Sequence, residues 1–286
     1  MRHAAWLIVV ALAAGCGTAA SDSRREARSS SSPAAVSAVA EDEEGTTRTV
    51  LELLEGAQQS WKALPPPRRS QDCVPGSERK LGNRAHAFAG VVKRRVVAYR
   101  RPGGARLQRF GLRNVNDYPT IFGVLAVVRG ADCRPAWYRV QLPIRPNGSV
   151  GYVRASALEL AGVHTRIAVD LSERKLELFR DGALVESFRT AIGSPATPTP
   201  VGRYYVNQRL IAGNPNGPHG PAALGISAFS PVLTHWTQGG PIAIHGTNNP
   251  ASIGKAASNG CLRLRNADLV RLYEQVPAGT PVVIRP

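Results

Sequence analysis

Pro241-Ile242-Ala243-Ile244-His245-Gly246-Thr247-Asn248-Asn249 and, a little further on, Ser258-Asn259-Gly260-Cys261-Leu262-Arg263 form the stretch from which the rest of the chain is read. Ile242-Ala243-Ile244 has the pattern of a buried strand, and it delivers His245 into a turn begun by Gly246-Thr247. Cys261 follows sixteen residues after His245, and the glycine before it lets the backbone approach a substrate closely. A thiol becomes a nucleophile when an imidazole takes its proton, and the ion pair so formed depresses the thiol pKa. Histidine suits that task because its own pKa lies near neutrality. The thioester such a cysteine forms divides one difficult amide exchange into two easier steps. A lone histidine and a lone cysteine are most often a core side chain and an inert thiol, so the surrounding pattern has to carry the assignment.

Working outward, Ile167, Val169 and Leu171 alternate with polar residues, as do Leu176 and Leu178, with turns at Ser172-Glu173-Arg174 and Asp181-Gly182. This predicts an antiparallel meander. Thr197-Pro198-Thr199-Pro200-Val201-Gly202 predicts a rigid extended loop. Asn266 is placed to cap a helix bearing Leu269, Leu272, Tyr273 and Val276 on one face, and Val282-Val283-Ile284 to form a last strand.

His245-Gly246-Thr247, the run Ser258 to Arg263, and the upstream loop Ile192-Gly193-Ser194-Pro195 to Gly202 resemble the YkuD-type L,D-transpeptidase catalytic domain, from about Thr165 to Pro286. The resemblance implies that Cys261 attacks the amide after the third residue of a peptidoglycan tetrapeptide stem. Terminal D-alanine then leaves and a thioester remains. It also implies His245 as the base, the Gly246 carbonyl as its orienter, and backbone N–H groups near Asn259, Gly260 and Cys261 as the oxyanion site. Arg263 is expected beside a substrate carboxylate or as a structural brace, and Ser258 as a loop hydrogen-bonder. An amine acceptor would give a cross-link or attach a protein to the wall, whereas water would give carboxypeptidase activity or release such a protein. One position departs from the family, which usually has His before the Gly-Cys pair where this chain has Asn259. Asparagine cannot shuttle a proton, which leaves His245 as the only base among the motif residues. No cofactor and no metal site is expected.

Between Ala85 and Leu160, short strand-like runs are split by turns at Pro102-Gly103-Gly104 and Arg145-Pro146-Asn147-Gly148, the Asn-Gly pair signalling a hairpin. The run from Trp137 to Val153 loosely resembles bacterial Src-homology-3-like modules. The expected fold is therefore mainly β. A small β-barrel-like module over 73–160 is followed by a β-rich catalytic domain over 163–286 with one or two short helices. The stretch from Ala85 to Leu160 holds 13 Lys and Arg against 3 Asp and Glu, a large part of the chain's net +16. That charge fits either attraction to an anionic wall polymer or a solvated face on a spacer.

Met1-Arg2-His3, the apolar run Ala4–Ala14, and Leu12-Ala13-Ala14-Gly15-Cys16 read as a signal peptide over 1–16. The last five resemble a lipobox, so Cys16 is either the lipidated residue or is discarded with a plain secretory signal. Residues 17–72 read as a polar tether with a short helix over 49–64, whose stripe includes Trp61 and Leu64. Export permits a disulfide between Cys73 and Cys133 and leaves Cys261 unpaired. The expected protein is an exported monomer, lipid-anchored to a membrane and facing the periplasm or cell wall. Its partners are peptidoglycan stem peptides, and export removes it from nucleic acid. A rival expectation is a weakly active wall-binding lipoprotein. His164 is assigned to the linker, His86 to the start of the middle module and His219 to a lid or surface loop, and His235 and Trp236 to the lining of the cleft or to core.

Overall fold

The computed structural model describes residues 74–286 together with the short segments 39–41, 47–49 and 63–65. The signal peptide, Cys16, Cys73 and most of the 49–64 helix lie outside the described residues. At the ends of that expected helix, Thr49 closes a short ribbon made by β1 (Val39–Glu41) and β2 (Thr47–Thr49), and Ala63 bridges to Ala161.

The front part is one antiparallel sheet. Its strands are β3 (Glu78–Lys80), β4 (Ala87–Val92), β5 (Val96–Tyr99), β6 (Arg106–Phe110), β7 (Ile121–Arg129), β8 (Pro135–Gln141), β9 (Val150–Arg154) and β10 (Leu158–Val163). They run β10-β4-β7-β8-β9-β5-β6, with β3 added on β7, so the path has two ends at β10 and β6. The expected boundary after residue 160 falls within β10, which stays in this sheet to Val163. Alternating side chains such as Val96, Ala98, Val140 and Val153 fill the front core. The Asn147-Gly148 turn does join two paired strands, β8 and β9. Cys133, in the turn before β8, is disulfide-bonded.

The rear sheet contains β11 (Thr165–Asp170), β12 (Lys175–Arg180), β13 (Ala183–Arg189), β15 (Gly202–Ile211), β16 (Ala222–Phe229), β17 (Pro241–His245), β19 (Leu262–Arg263) and β20 (Pro281–Arg285). A separate parallel pair is β14 (Ile192–Gly193) with β18 (Ala256–Ser258). The order β13-β12-β11-β20-β15-β16-β17-β19 contains the expected meander. The last strand is inserted between β11 and β15, parallel to β11. The one α-helix among the described residues is α1 (Asn266–Gln275), which buries Leu269, Leu272 and Tyr273. The fold is mainly β, as expected.

The two sheets share an interior. Ala89, Val91, Ile121, Ala161 and Val163 of the front sheet belong to the same apolar cluster as Val169, Tyr204 and Val206 of the rear one. Tyr205, 1% exposed, donates its hydroxyl to the Ile121 carbonyl at 3.0 Å. Asn147 makes a reciprocal amide pair with Phe229, its side chain donating to the Phe229 carbonyl at 2.8 Å and accepting from its N–H at 2.9 Å. Arg145 donates to the carbonyls of Ser230 and Gly239 at 2.8 and 2.7 Å. The basic turn read as a hairpin signal is thus also the clamp between the two sheets.

Candidate functional site

Alternation along two short parallel strands assembles the site. Ile242 and Ile244 of β17 enter the core with Leu262 and Leu264, which turns Ala243, His245, Cys261 and Arg263 to the opposite face. The register pairs Ile244 with Leu262 and His245 with Arg263. Cys261 therefore comes beside Ala243, whose backbone hydrogen-bonds the thiol. Cys261 is a free, partly exposed thiol, whereas His245 is 4% exposed. No hydrogen bond joins the two side chains among the described residues. Resting sites commonly form that bond only once substrate is bound.

His245 is held by its neighbour. Its Nδ1 lies 2.6 Å from the Gly246 carbonyl oxygen, which can only accept, so Nδ1 carries the hydrogen and Nε2 keeps the lone pair. That is the tautomer a base requires. At Gly246 a Cβ would stand 2.3 Å from Asn266 Oδ1. The missing side chain lets Asn266 accept from the Thr247 N–H at 2.8 Å. Asn266, expected as the helix cap, instead lies inside the first turn of α1. The cap position belongs to Arg265, which makes no side-chain cap bond. The amide serves the turn after His245 rather than the helix end.

The cysteine loop is fixed from both sides. Ser258 Oγ donates to the Cys261 carbonyl at 2.5 Å and accepts from the Gly260 N–H at 3.1 Å. With the Gly260 N–H occupied in this way, the N–H groups of Asn259 and Cys261 are left as candidate oxyanion donors. Gly260 has φ +110°, and a Cβ there would meet Ile242 Cδ1 at 2.9 Å. The proline-rich loop straps this segment down. Thr199 Oγ1 accepts from the Gly193 N–H at 2.8 Å and donates to the Gly260 carbonyl at 2.9 Å, while Thr197 Oγ1 donates to the Ser258 carbonyl at 3.0 Å. Asn259 is exposed. Arg263 has its backbone tied to Ala191 and its Nε buried without a hydrogen-bond partner, and among the described residues no carboxylate pairs with it.

Burial decides the charge state. It pushes the Cys261 thiol up, against a hydrogen bond from the Ala243 backbone and the Arg263 charge. It pushes His245 down to about 3, helped by His219 and Arg263 and opposed by the Gly246 carbonyl. Burial thus favours neutral thiol and neutral imidazole over the thiolate–imidazolium pair. His245 has left water and Cys261 has done so in part, and burial penalises the charged form of each.

His219, assigned from sequence to a lid or surface loop, stands against His245 with ring centroids 4.8 Å apart. It reaches the site because β16 starts beside the end of β17, a register that the local sequence does not reveal. The only local signal is the chain-tightening run Gly217-Pro218-His219-Gly220-Pro221 just ahead of a strand. His235 and Trp236 lie in the exposed loop that enters β17, at the end away from His245. His86 and His164 stack on each other at 4.6 Å where the two sheets join, with His164 bonded to Asp181 at 2.7 Å.

The YkuD model, the L,D-transpeptidase catalytic domain, matches residues 164–284. The chain is 42% identical over 121 residues to the relative assigned as L,D-transpeptidase YkuD in Bacillus licheniformis, covering 42% of this chain and 66% of that protein. It is 40% identical over 118 residues to the Bacillus subtilis protein of the same name, covering 41% and 64%. It is 30% identical over 128 residues to the relative assigned as L,D-transpeptidase YqjB in Bacillus subtilis, covering 41% and 69%. The chain thus spans just under two thirds of the first two curated relatives and slightly more of the third. The family match begins at β11, ends in β20 and encloses every residue of the site, while the front sheet lies outside it. Taken with the extent of the third relative that is covered, this means that the chain belongs to the L,D-transpeptidase family, with residues 164–284 as its YkuD catalytic domain.

Proposed function

We propose that the protein is an exported, lipid-anchored acyltransferase that exchanges peptide bonds in peptidoglycan. Cys261 attacks the amide after the third residue of a tetrapeptide stem. The S–H proton passes to His245 Nε2 and then to the departing nitrogen of D-alanine as the C–N bond breaks. The thioester left on Cys261 is opened by an amine of a neighbouring stem, which restores the thiol and closes a cross-link. The N–H groups of Asn259 and Cys261 serve the oxyanion. Arg263, a cation with no carboxylate partner among the described residues, serves the stem carboxylate. The observation that carries this reading is the placement of Cys261 and His245 on one face of adjacent parallel strands, with His245 held in its basic tautomer by Gly246. Mass analysis of muropeptides after incubation with disaccharide tetrapeptide tests it. A dimer with release of D-alanine is expected, and Cys261→Ala should lower that release at least a hundredfold. Trimmed monomer without dimer would make the enzyme a carboxypeptidase, and unchanged release by Cys261→Ala would remove the nucleophile.

The front sheet supplies affinity for an anionic wall polymer. Arg95, Arg100, Arg101, Arg106 and Arg109 are all exposed on the β5–β6 hairpin and its flanks, and among the described residues none is in an ion pair. Guanidinium groups so left are suited to phosphate or carboxylate. Replacing Arg100, Arg101 and Arg106 by Gln should weaken retention on purified wall and reduce its salt dependence. Retention unchanged at every salt concentration would leave the module a spacer.

A further inference from the structure

Two imidazoles meet at the candidate base. His219 lies in the loop between β15 and β16, its ring inclined 58° to that of His245. The backbone builds the contact in. Gly220, at φ +62°, packs so closely on the neighbouring turn that a Cβ would stand 2.7 Å from Gly246 Cα, and Ala223 of β16 is paired with His245. His245 is sealed from solvent, while His219 is half-buried and open to it. The charged group acting on both rings is Arg263 on β19, which also acts on the thiol of Cys261 just before it. Asn266, packed against the same turn, brings an amide and no charge. A charge arising on His219 therefore adds to that of Arg263.

We propose that His219 is a positioning residue for the thiol chemistry, one that lets His245 take the Cys261 proton only while His219 itself is neutral. The inference rests on the proposed roles of Cys261 and His245. When the S–H bond breaks, its electron pair stays on sulfur and the proton goes to His245 Nε2. The imidazolium is opposed by burial and by Arg263, and a second imidazolium at ring-contact distance adds like-charge repulsion. Burial first, and Arg263 second, lower the tendency of His219 to protonate, so the block sets in below the ordinary histidine value of 6.5. Asn259, which stands where the family usually carries a second histidine, cannot titrate.

Alkylation of Cys261 by iodoacetamide in the full chain, followed by the mass of the Cys261 peptide between pH 4 and pH 8, tests the proposal without peptidoglycan. Transfer of a proton within a thiol–imidazole pair conserves the pair's protons, so the wild-type rate should be level near neutrality. It should then fall about tenfold per pH unit below an acid edge. His219→Phe and His219→Gln should keep the level rate at least one pH unit further into acid. An edge at the same pH in the wild type and both variants would overturn the proposal, whether or not their rates are uniformly lower. Gln keeps a polar side chain should Phe disturb the loop. A wild-type Cys261 inert at every pH would instead strike at the nucleophile assignment, a result distinct from an unmoved edge.

Discussion

Keeping His245 out of water has a cost in acid. The folded chain holds its pKa near 3, against 6.5 for a solvated histidine. Between those values the unfolded chain binds a proton that the folded one refuses, so stability is complete above pH 6.5 and falls as pH drops toward 3. The slope from this one group is about 1.4 kcal/mol per pH unit. His219, lowered in the same direction, adds to it. Denaturant midpoints at pH 7 and pH 4 should therefore lie closer together in His245→Gln than in the wild type, and an identical gap would contradict the burial account. Cys261, His245 and Gly246 were legible in the sequence because a buried strand ending in His-Gly and a glycine ahead of a cysteine are local signals. The charge state was not, because it depends on how deeply the pair is buried. Nor was His219, whose approach is set by the pairing of β16 with β17.

The proline-rich loop between β14 and β15 shows how a segment far from the nucleophile in sequence governs it in space. Thr199 Oγ1 joins a donor at Gly193 to an acceptor at Gly260, so Thr199→Val orphans two buried backbone groups at once. The expected loss is about 1–3 kcal/mol of stability. Cys261 reactivity should also fall beyond what the loss of folded protein explains, as measured by alkylation rate per folded molecule. A loss of stability with unchanged reactivity would show that the loop merely packs. The meander β11–β12–β13 could be read in advance from alternation and turn residues. The placement of β20 between β11 and β15 could not, since an apolar triplet near the chain end says nothing about its neighbours. The two-residue β19 left no periodic signal at all.

Front and rear sheets share one apolar cluster, and cooperative unfolding follows from it. Calorimetry of the whole chain should give a single transition rather than two. Tyr205→Phe, which leaves the Ile121 carbonyl without its hydroxyl donor at a buried site, should lower that transition as a whole by about 1–3 kcal/mol. Two separated transitions would mean that the shared interior is not a mechanical unit. The sequence told of a basic β module followed by a β-rich stretch, yet their fusion rests on Gly123 lying against the Tyr205 ring and Gly279 against Ala89, contacts no periodicity encodes.

At the far border of the front sheet, β6 pairs with β5 alone among the described strands, and its exposed positions include Arg106 and Arg109. A second copy sliding in to extend the ladder would lay its own guanidinium groups against these. Self-association through that border is thereby discouraged, in the way positive charge blunts free strand edges generally. Threonine at both positions would keep strand propensity while removing the repulsion, so light scattering at rising concentration should reveal sticking in the doubly substituted chain before it does in the parent.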